Sequence, residues 1–156
     1  MQKLKDFGSY ILGFCIFIAV LAIPALFIIG GIRLGEILLP WLYLISWLVF
    51  FVNLLILLPL CIFKKTRPFA GVGFFFSSFI YGITLWFLGL LLTFALWGGI
   101  GVIIGLFIMG IGVVPMAILA TLFHGLWGPF GFLIFLVILT FGVRILGITL
   151  AEQETL

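Results

Sequence analysis

Among the polar residues that lie inside long apolar runs of the sequence, six could do chemistry that the hydrocarbon groups around them cannot. They are Ser46 and Asn53 at i and i+7, Ser77, Tyr81 and Thr84 at i, i+4 and i+7, and Arg144 alone. Residues at the first two sets of spacings share one helix face. Hydroxyl and amide groups in such positions favour either hydrogen bonds between helices or a polar path lining a narrow pore.

Groups that support catalysis or metal binding are missing from the same runs. No Asp or Glu lies in the middle of an apolar run, which argues against proton-coupled transport and against hydrolysis by paired aspartates. One His and two separated Cys, Cys15 and Cys61, cannot supply the three or four ligands of a metal site. We therefore expect no enzyme, no cofactor and no metal.

The composition identifies the surroundings of these residues. Of the 156 residues 67% are hydrophobic and 7% are charged, whereas soluble domains carry about 25% charged residues. So few charges cannot cover the surface of a soluble domain, and we expect an all-α, polytopic integral membrane bundle forming one transmembrane domain over 1–156. The net charge of +3 is small and dispersed, so no nucleic-acid partner is expected.

Charged residues and Gly/Pro positions divide the chain into five apolar stretches, each long enough for the roughly 20 residues of a transmembrane helix. The predicted spans are 7–31, 40–63, 69–97, 98–123 and 129–150. Pro115 interrupts the fourth. The alternative is four crossings plus a re-entrant fourth segment, which would place the C-terminus in the cytoplasm.

The basic residues predict the orientation. Five of the seven fall on one side after two crossings, namely Lys3, Lys5, Lys64, Lys65 and Arg67. Cytoplasmic loops carry an excess of Lys and Arg, so the N-terminus is expected in the cytoplasm, with a bacterial inner membrane as the default. Besides setting orientation, the cytoplasmic basic loop of Lys64, Lys65 and Arg67 could dock a cytosolic partner or anionic head groups.

The number of residues between the basic loop and each polar residue gives the depth of that residue in the bilayer. From the basic loop, Asn53 lies about 15 Å deep and Ser77 to Thr84 lie about 12 to 22 Å deep. A hairpin of the second and third spans would therefore place the Asn53 amide against Ser77, Ser78 or Tyr81. Such hydrogen bonds contribute about 0.6 to 2 kcal/mol each.

Arg144 is the one charge inside a predicted span. With five crossings it lies about 22 Å from the cytoplasmic end, and its stem could extend to the outer interface, towards Glu36 and Glu152. The alternative is an arginine that faces a pore or a subunit interface.

Glycines crowd the fourth span. Gly98, Gly101, Gly105 and Gly112 fall within about 60° of one another on a helix, and Gly101 and Gly105 form a GxxxG step. No charge or strand pattern accompanies them, which excludes a phosphate loop. We expect a helix-packing seam, within one chain or between two.

These features predict a non-enzymatic membrane subunit, an anchor, assembly or sensor component that packs with itself or with partner chains in the bilayer. The alternative is a small homo-oligomeric channel or transporter that pools Asn53, Ser77, Thr84 and Arg144 around a pore.

Overall fold

The chain is α-helical throughout the part that its computed structural model describes. The backbone is described for residues 2–64, 66–108 and 112–152, and side chains for 13–14, 16–18, 22, 26, 28–64, 66–108 and 112–150. The elements are α1 (Gln2–Val52), a π-helical turn (Asn53–Leu57), α2 (Leu58–Leu60), α3 (Arg67–Phe107), α4 (Val113–Phe123) and α5 (Trp127–Glu152). The predicted all-α fold is confirmed for these residues.

Three of the described helical segments are long and apolar enough to cross a membrane. They are Ile28–Leu60, Arg67–Phe107 and Trp127–Leu150. α4 has 11 residues and is too short for the roughly 20 that a crossing needs. These lengths support the predicted membrane location.

The first two predicted spans lie in one continuous helix, because α1 has no break between residues 31 and 40. Arg33 and Glu36 are good helix formers, and the helix continues through Pro40. With 51 residues, α1 is about 76 Å long. The backbone of Lys3 and Lys5 therefore lies at the opposite end of this helix from Lys64, not beside it.

Pro59 explains the π-helical turn that follows α1. A proline has no N–H, and in a regular α-helix its ring would clash with the carbonyl of Leu55 four residues earlier. The turn widens instead, so that the N–H of Leu58 bonds to the carbonyl of Asn53. The helix continues past the proline to Leu60, and Asn53 begins the widened turn.

α3 is the central helix, and α1 packs against it in the antiparallel direction. Gly31 lies against Leu90 past the middle of α3, whereas Leu57 lies against Gly73 near its start. Ala70 and Phe74 on α3 bury Leu57 in the same cluster.

α5 is also antiparallel to α3, which corrects the predicted position of the C-terminal end. Gly147 lies against Phe75, and Val143 and Leu150 pack on the cluster that contains Ala70. The five-crossing arrangement placed Glu152 on the side opposite the basic loop. The direction of α5 brings its C-terminal end to the basic-loop end of the bundle.

The reason is that the predicted fourth span is not one helix. At Gly98 the backbone adopts φ 68° and ψ −165°, a left-handed conformation that glycine adopts at little cost. Residues 99–107 then fold back along α3, so that Val102 is buried beside Leu90. After the turn, Thr93 Oγ1 donates a hydrogen bond to the carbonyl of Val113 at 3.2 Å, and α4 starts against the middle of α3.

This break divides the predicted glycine seam. Gly98 forms the kink, and a Cβ there would meet nothing within 4 Å. A Cβ on Gly101 would lie 2.7 Å from the Cβ of Trp97 across the kink, and one on Gly105 would lie 3.0 Å from the Cα of Val113. A Cβ on Gly112 would lie 2.6 Å from the carbonyl oxygen of Gly105. The close approaches are within the chain, and a contact between chains stays a prediction.

A backbone-to-backbone approach between two long helices occurs at Gly147, which the sequence analysis missed. A Cβ at this position would lie 2.8 Å from the backbone nitrogen of Phe75 and 2.9 Å from the carbonyl oxygen of Gly71. Only backbone of α3 stands there, and backbone cannot swing aside as a side chain does. Gly147 therefore sets the spacing between α3 and α5.

We expect Gly147→Leu to lower the free energy of unfolding of the monomer by about 1 to 3 kcal/mol or more, because the new side chain overlaps the α3 backbone. The measurement is circular dichroism of detergent-solubilised monomer titrated with a denaturing detergent. Gly142→Leu is the matched control on the same helix, since a Cβ there meets nothing within 4 Å. Equal effects of the two substitutions would contradict this account of the α3–α5 contact.

Candidate functional site

Asn53 lies at the centre of a polar network that joins α1 to α3. Its Nδ2 donates a hydrogen bond to the hydroxyl of Tyr81 at 3.0 Å. Its Oδ1 accepts one from Ser77 Oγ at 2.8 Å. The three side chains are buried, with Asn53 6% and Tyr81 1% exposed. The contact predicted for the Asn53 amide is confirmed.

A second polar pair joins the same two helices. Ser46 Oγ and Thr84 Oγ1 are 2.8 Å apart. Thr84 also donates to the carbonyl of Ile80 at 2.8 Å. A hydroxyl has one proton, so with this bond formed Ser46 is the donor of the pair. Ser46 and Asn53 are thus held to α3 at two levels of one face.

Every polar atom of the network has a partner. Among the described residues, no buried side-chain nitrogen or oxygen lacks a hydrogen bond. Ser77 also reaches the carbonyl of Gly73 at 2.8 Å, so it has two acceptors for its single proton. A satisfied network stabilises the helix pair and its register, since an unpaired amide in hydrocarbon costs several kcal/mol.

Arg144 does not join this network. Its side chain is exposed on α5, and its guanidinium carbon lies 5.9 Å and 5.7 Å from the ring centroids of Phe75 and Phe79. These are cation–π distances. Arg144 also lines a shallow groove together with Ser78 and Thr140.

The depth predicted for Arg144 was wrong because it assumed five crossings. Phe75 stands about 12 Å along α3 from its first residue, Arg67, so Arg144 lies in the half of the bundle nearer the basic loop. Glu36 is near the other end, since Gly35 lies against Leu91 and Phe87. Glu36 is therefore not its partner, and the side chain of Glu152 lies outside the described residues.

The basic loop is folded back onto the end of α2. Thr66 Oγ1 donates to the carbonyl of Leu60 at 2.8 Å, and Arg67 Nε donates to the carbonyl of Cys61 at 2.9 Å. Lys64 is exposed, and Lys65 lies outside the described residues.

An apolar groove lies beside the network, and it is called the α1–α5 groove here. α1 and α5 both pack on α3 but, over the described residues, do not contact each other at the backbone level. The gap between them has a volume of about 320 Å³. Its lining includes Asn53, Leu58, Cys61, Tyr81, Leu146 and Leu150.

Aromatic contacts bridge the gap further from the basic loop. The rings of Phe50 and Phe135 are 6.4 Å apart, and those of Tyr43 and Phe132 are 5.6 Å apart. The cavity between these pairs shrinks to about 30 Å³. The α1–α5 groove is therefore open near the basic loop and closed near the middle of the bundle.

Sequence reasoning missed the groove, although one signal for it exists. Leu139, Val143, Leu146 and Leu150 share a face of α5 at i, i+4, i+7 and i+11. That face could have been predicted to pack, but not against which helices.

Comparison of the chain with family models, with curated proteins and with solved structures finds no match. The function of the chain is therefore inferred from the geometry of its described residues. That geometry consists of a satisfied polar network inside the protomer, an exposed arginine on α5, and an apolar groove with a basic loop at its open end.

A double-mutant cycle of Asn53→Leu and Tyr81→Phe should give a coupling energy of about 0.6 to 1.7 kcal/mol, because each single change removes the same hydrogen bond. The measurement is the free energy of unfolding of each variant in detergent. Thr149→Val is the control, because its hydroxyl is exposed and bonds only to carbonyls of its own helix. Additive effects of Asn53→Leu and Tyr81→Phe would contradict the contact.

Proposed function

We propose that this chain is a non-enzymatic integral membrane subunit, which serves as an anchor, assembly or sensor component by packing its helices against other chains. The observation that carries the proposal is the internal pairing of the polar network. Asn53 bonds to both Ser77 and Tyr81, and this pairing inside the protomer supports a role in holding its helices together. No reaction by the chain alone is proposed.

The outer face of α5 offers a surface for another helix. Gly128, Gly131 and Gly142 fall within about 60° of one another on this helix. All three are exposed, and a Cβ on any of them would meet nothing within 4 Å. Small residues let helix backbones approach closely in lipid, where dispersion contacts replace the hydrophobic effect. This face is the contact that we propose for a second copy or for a partner chain.

The channel alternative has less support. Three of the four residues that it pools, Asn53, Ser77 and Thr84, are buried and hydrogen-bonded inside the protomer. Arg144 alone faces outward, so a ring of copies would bring only one of the four to a shared axis.

We expect Gly131→Leu to reduce assembly at least tenfold while leaving the unfolding of the monomer unchanged, because the added side chain keeps a neighbouring helix away from α5. Native mass spectrometry and identification of copurified chains measure assembly. Gly99→Leu is the control, since a Cβ there meets nothing and the residue lies off the α5 face. A protein that purifies as a monomer with no partner would contradict the proposal.

Ion flux distinguishes the two functions. Purified chain in liposomes is expected to pass no ions above protein-free vesicles. Flux that disappears with Asn53→Leu and with Arg144→Leu would instead establish the channel. Flux that neither substitution changes would contradict the subunit proposal, and it would also exclude a pore lined by Asn53 and Arg144.

The number of crossings is part of the proposal. We propose four crossings, by 7–31, 40–63, 69–97 and 129–150, with 98–123 re-entrant, in a bacterial inner membrane. A continuous α1 of about 76 Å is more than twice as long as the roughly 30 Å of hydrocarbon, and its early residues Phe14 and Phe17 are exposed and apolar. Both halves need lipid, so the proposal requires α1 to bend near Arg33 and Glu36 in the bilayer, a bend that the continuous helix described above does not have.

This topology places the N-terminus, the basic loop and the C-terminus in the cytoplasm. Reporter fusions at each of the three points should therefore give cytoplasmic signals, because an even number of crossings separates them. A fusion after His124, in the turn between α4 and α5, should give the opposite signal and is the internal control. An external N-terminus would show that α1 crosses once as a straight helix.

A further inference from the structure

We propose that the α1–α5 groove binds one anionic phospholipid from the leaflet that faces the basic loop. One of the two acyl chains of the lipid would lie in the groove. The phosphate would lie at the open end of the groove, beside Lys64 and Arg67. This inference does not depend on whether the chain is a subunit or a channel.

The length of the groove matches one leaflet. Its open part runs from the Phe50–Phe135 contact to Cys61. Cys61 follows Phe50 by eleven positions, which is about 16 Å at the rise of an α-helix. Half of the roughly 30 Å hydrocarbon layer is about 15 Å. An acyl chain that enters at the basic-loop end therefore fits the open part and stops at the aromatic contact.

The cross-section of the groove suits an acyl chain better than a helix. The groove holds about 320 Å³ and narrows to about 30 Å³ beyond Phe50. A transmembrane helix would have to continue across the narrow part, whereas an acyl chain ends there.

The charge at the open end selects the head group. The Nε of Arg67 is 2.9 Å from the carbonyl of Cys61, and Cys61 lines the groove. Lys64 follows three residues later and is exposed. Arginine matches the geometry of phosphate, and paired basic residues next to a membrane surface attract anionic lipids. A zwitterionic head group lacks the net charge that this pair attracts.

The wall of the groove is apolar, as an acyl chain requires. Leu54, Leu58, Leu146 and Leu150 contribute most of its side, and the polar atoms of Asn53 and Tyr81 at its base already bond to each other.

The test is native mass spectrometry of the full chain released from vesicles of equal parts phosphatidylglycerol and phosphatidylcholine. One phosphatidylglycerol per chain should remain bound, with at least tenfold preference over phosphatidylcholine. The double substitution Lys64→Gln with Arg67→Gln should reduce retention at least tenfold. Leu146→Trp, which fills the groove, should do the same with the charges intact.

Two controls separate the site from general lipid contact. Ile145→Trp adds the same bulk at an exposed position beside Leu146 that does not line the groove. Arg33→Gln removes an exposed positive charge near the other end of the bundle. Both should retain the lipid. Circular dichroism checks that each variant is folded. If Leu146→Trp does not fold, the double substitution of Lys64 and Arg67 still tests the site.

Several outcomes would overturn the site. Equal retention of the two lipids would exclude selection by the basic residues. Equal effects of Leu146→Trp and Ile145→Trp would exclude the groove as the binding place. A photo-crosslinker at Leu146 that captures a protein chain instead of lipid would assign the groove to a partner helix.

Discussion

A polar side chain inside the hydrocarbon layer must find its hydrogen-bond partners within the protein, since lipid offers none. Asn53 meets this constraint by bonding to two residues of α3, and the rest of the bundle follows from that attachment. The face of α1 that carries Asn53 and Ser46 has to lie on α3. Once α1 and α5 both occupy α3, the gap between them remains as a groove whose base is the network itself.

Position in the bundle also separates groups of similar chemistry. Thr84 and Ser77 lie on the side of α3 that meets α1, so their hydroxyls contribute to packing. Arg144 lies on α5 over two phenylalanine rings, on a face that α1 does not reach. The guanidinium is therefore stabilised by the electrons of the two rings, without a carboxylate beside it among the described residues. Its long apolar stem lets the charged group extend towards a more polar region.

Helical spacing and depth were enough to predict that Asn53 meets Ser77, Ser78 or Tyr81, because both quantities are local and consecutive helices pack as neighbours. Ser77 and Tyr81 bond to Asn53, whereas Ser78 bonds to the carbonyl of Phe75 in its own helix. The direction of α5 could not be predicted in the same way. It depends on the backbone at Gly98 and at Gly125, both of which have a positive φ. A glycine in an apolar run is equally compatible with a packing residue and with a break. The depth of Arg144 and the existence of the groove depended on that direction.

The limits of α1 show a related difficulty. In a soluble protein a change from apolar to polar residues marks the end of a helix, but here nearly every residue is apolar. Arg33 and Glu36 interrupt the hydropathy without interrupting the hydrogen bonds of the helix. Pro59, which does perturb the backbone, is accommodated by the π-helical turn, and the helix ends only at Leu60.

The network has a consequence for the synthesis of the chain. Ser77 and Tyr81 follow Asn53 by 24 and 28 residues. At about 5 to 20 residues per second, the ribosome makes both partners within roughly 1 to 6 s of the amide. The two helices can therefore leave the insertion machinery as a pair with the amide already bonded, and α5 joins a hairpin that no longer exposes an unsatisfied polar group.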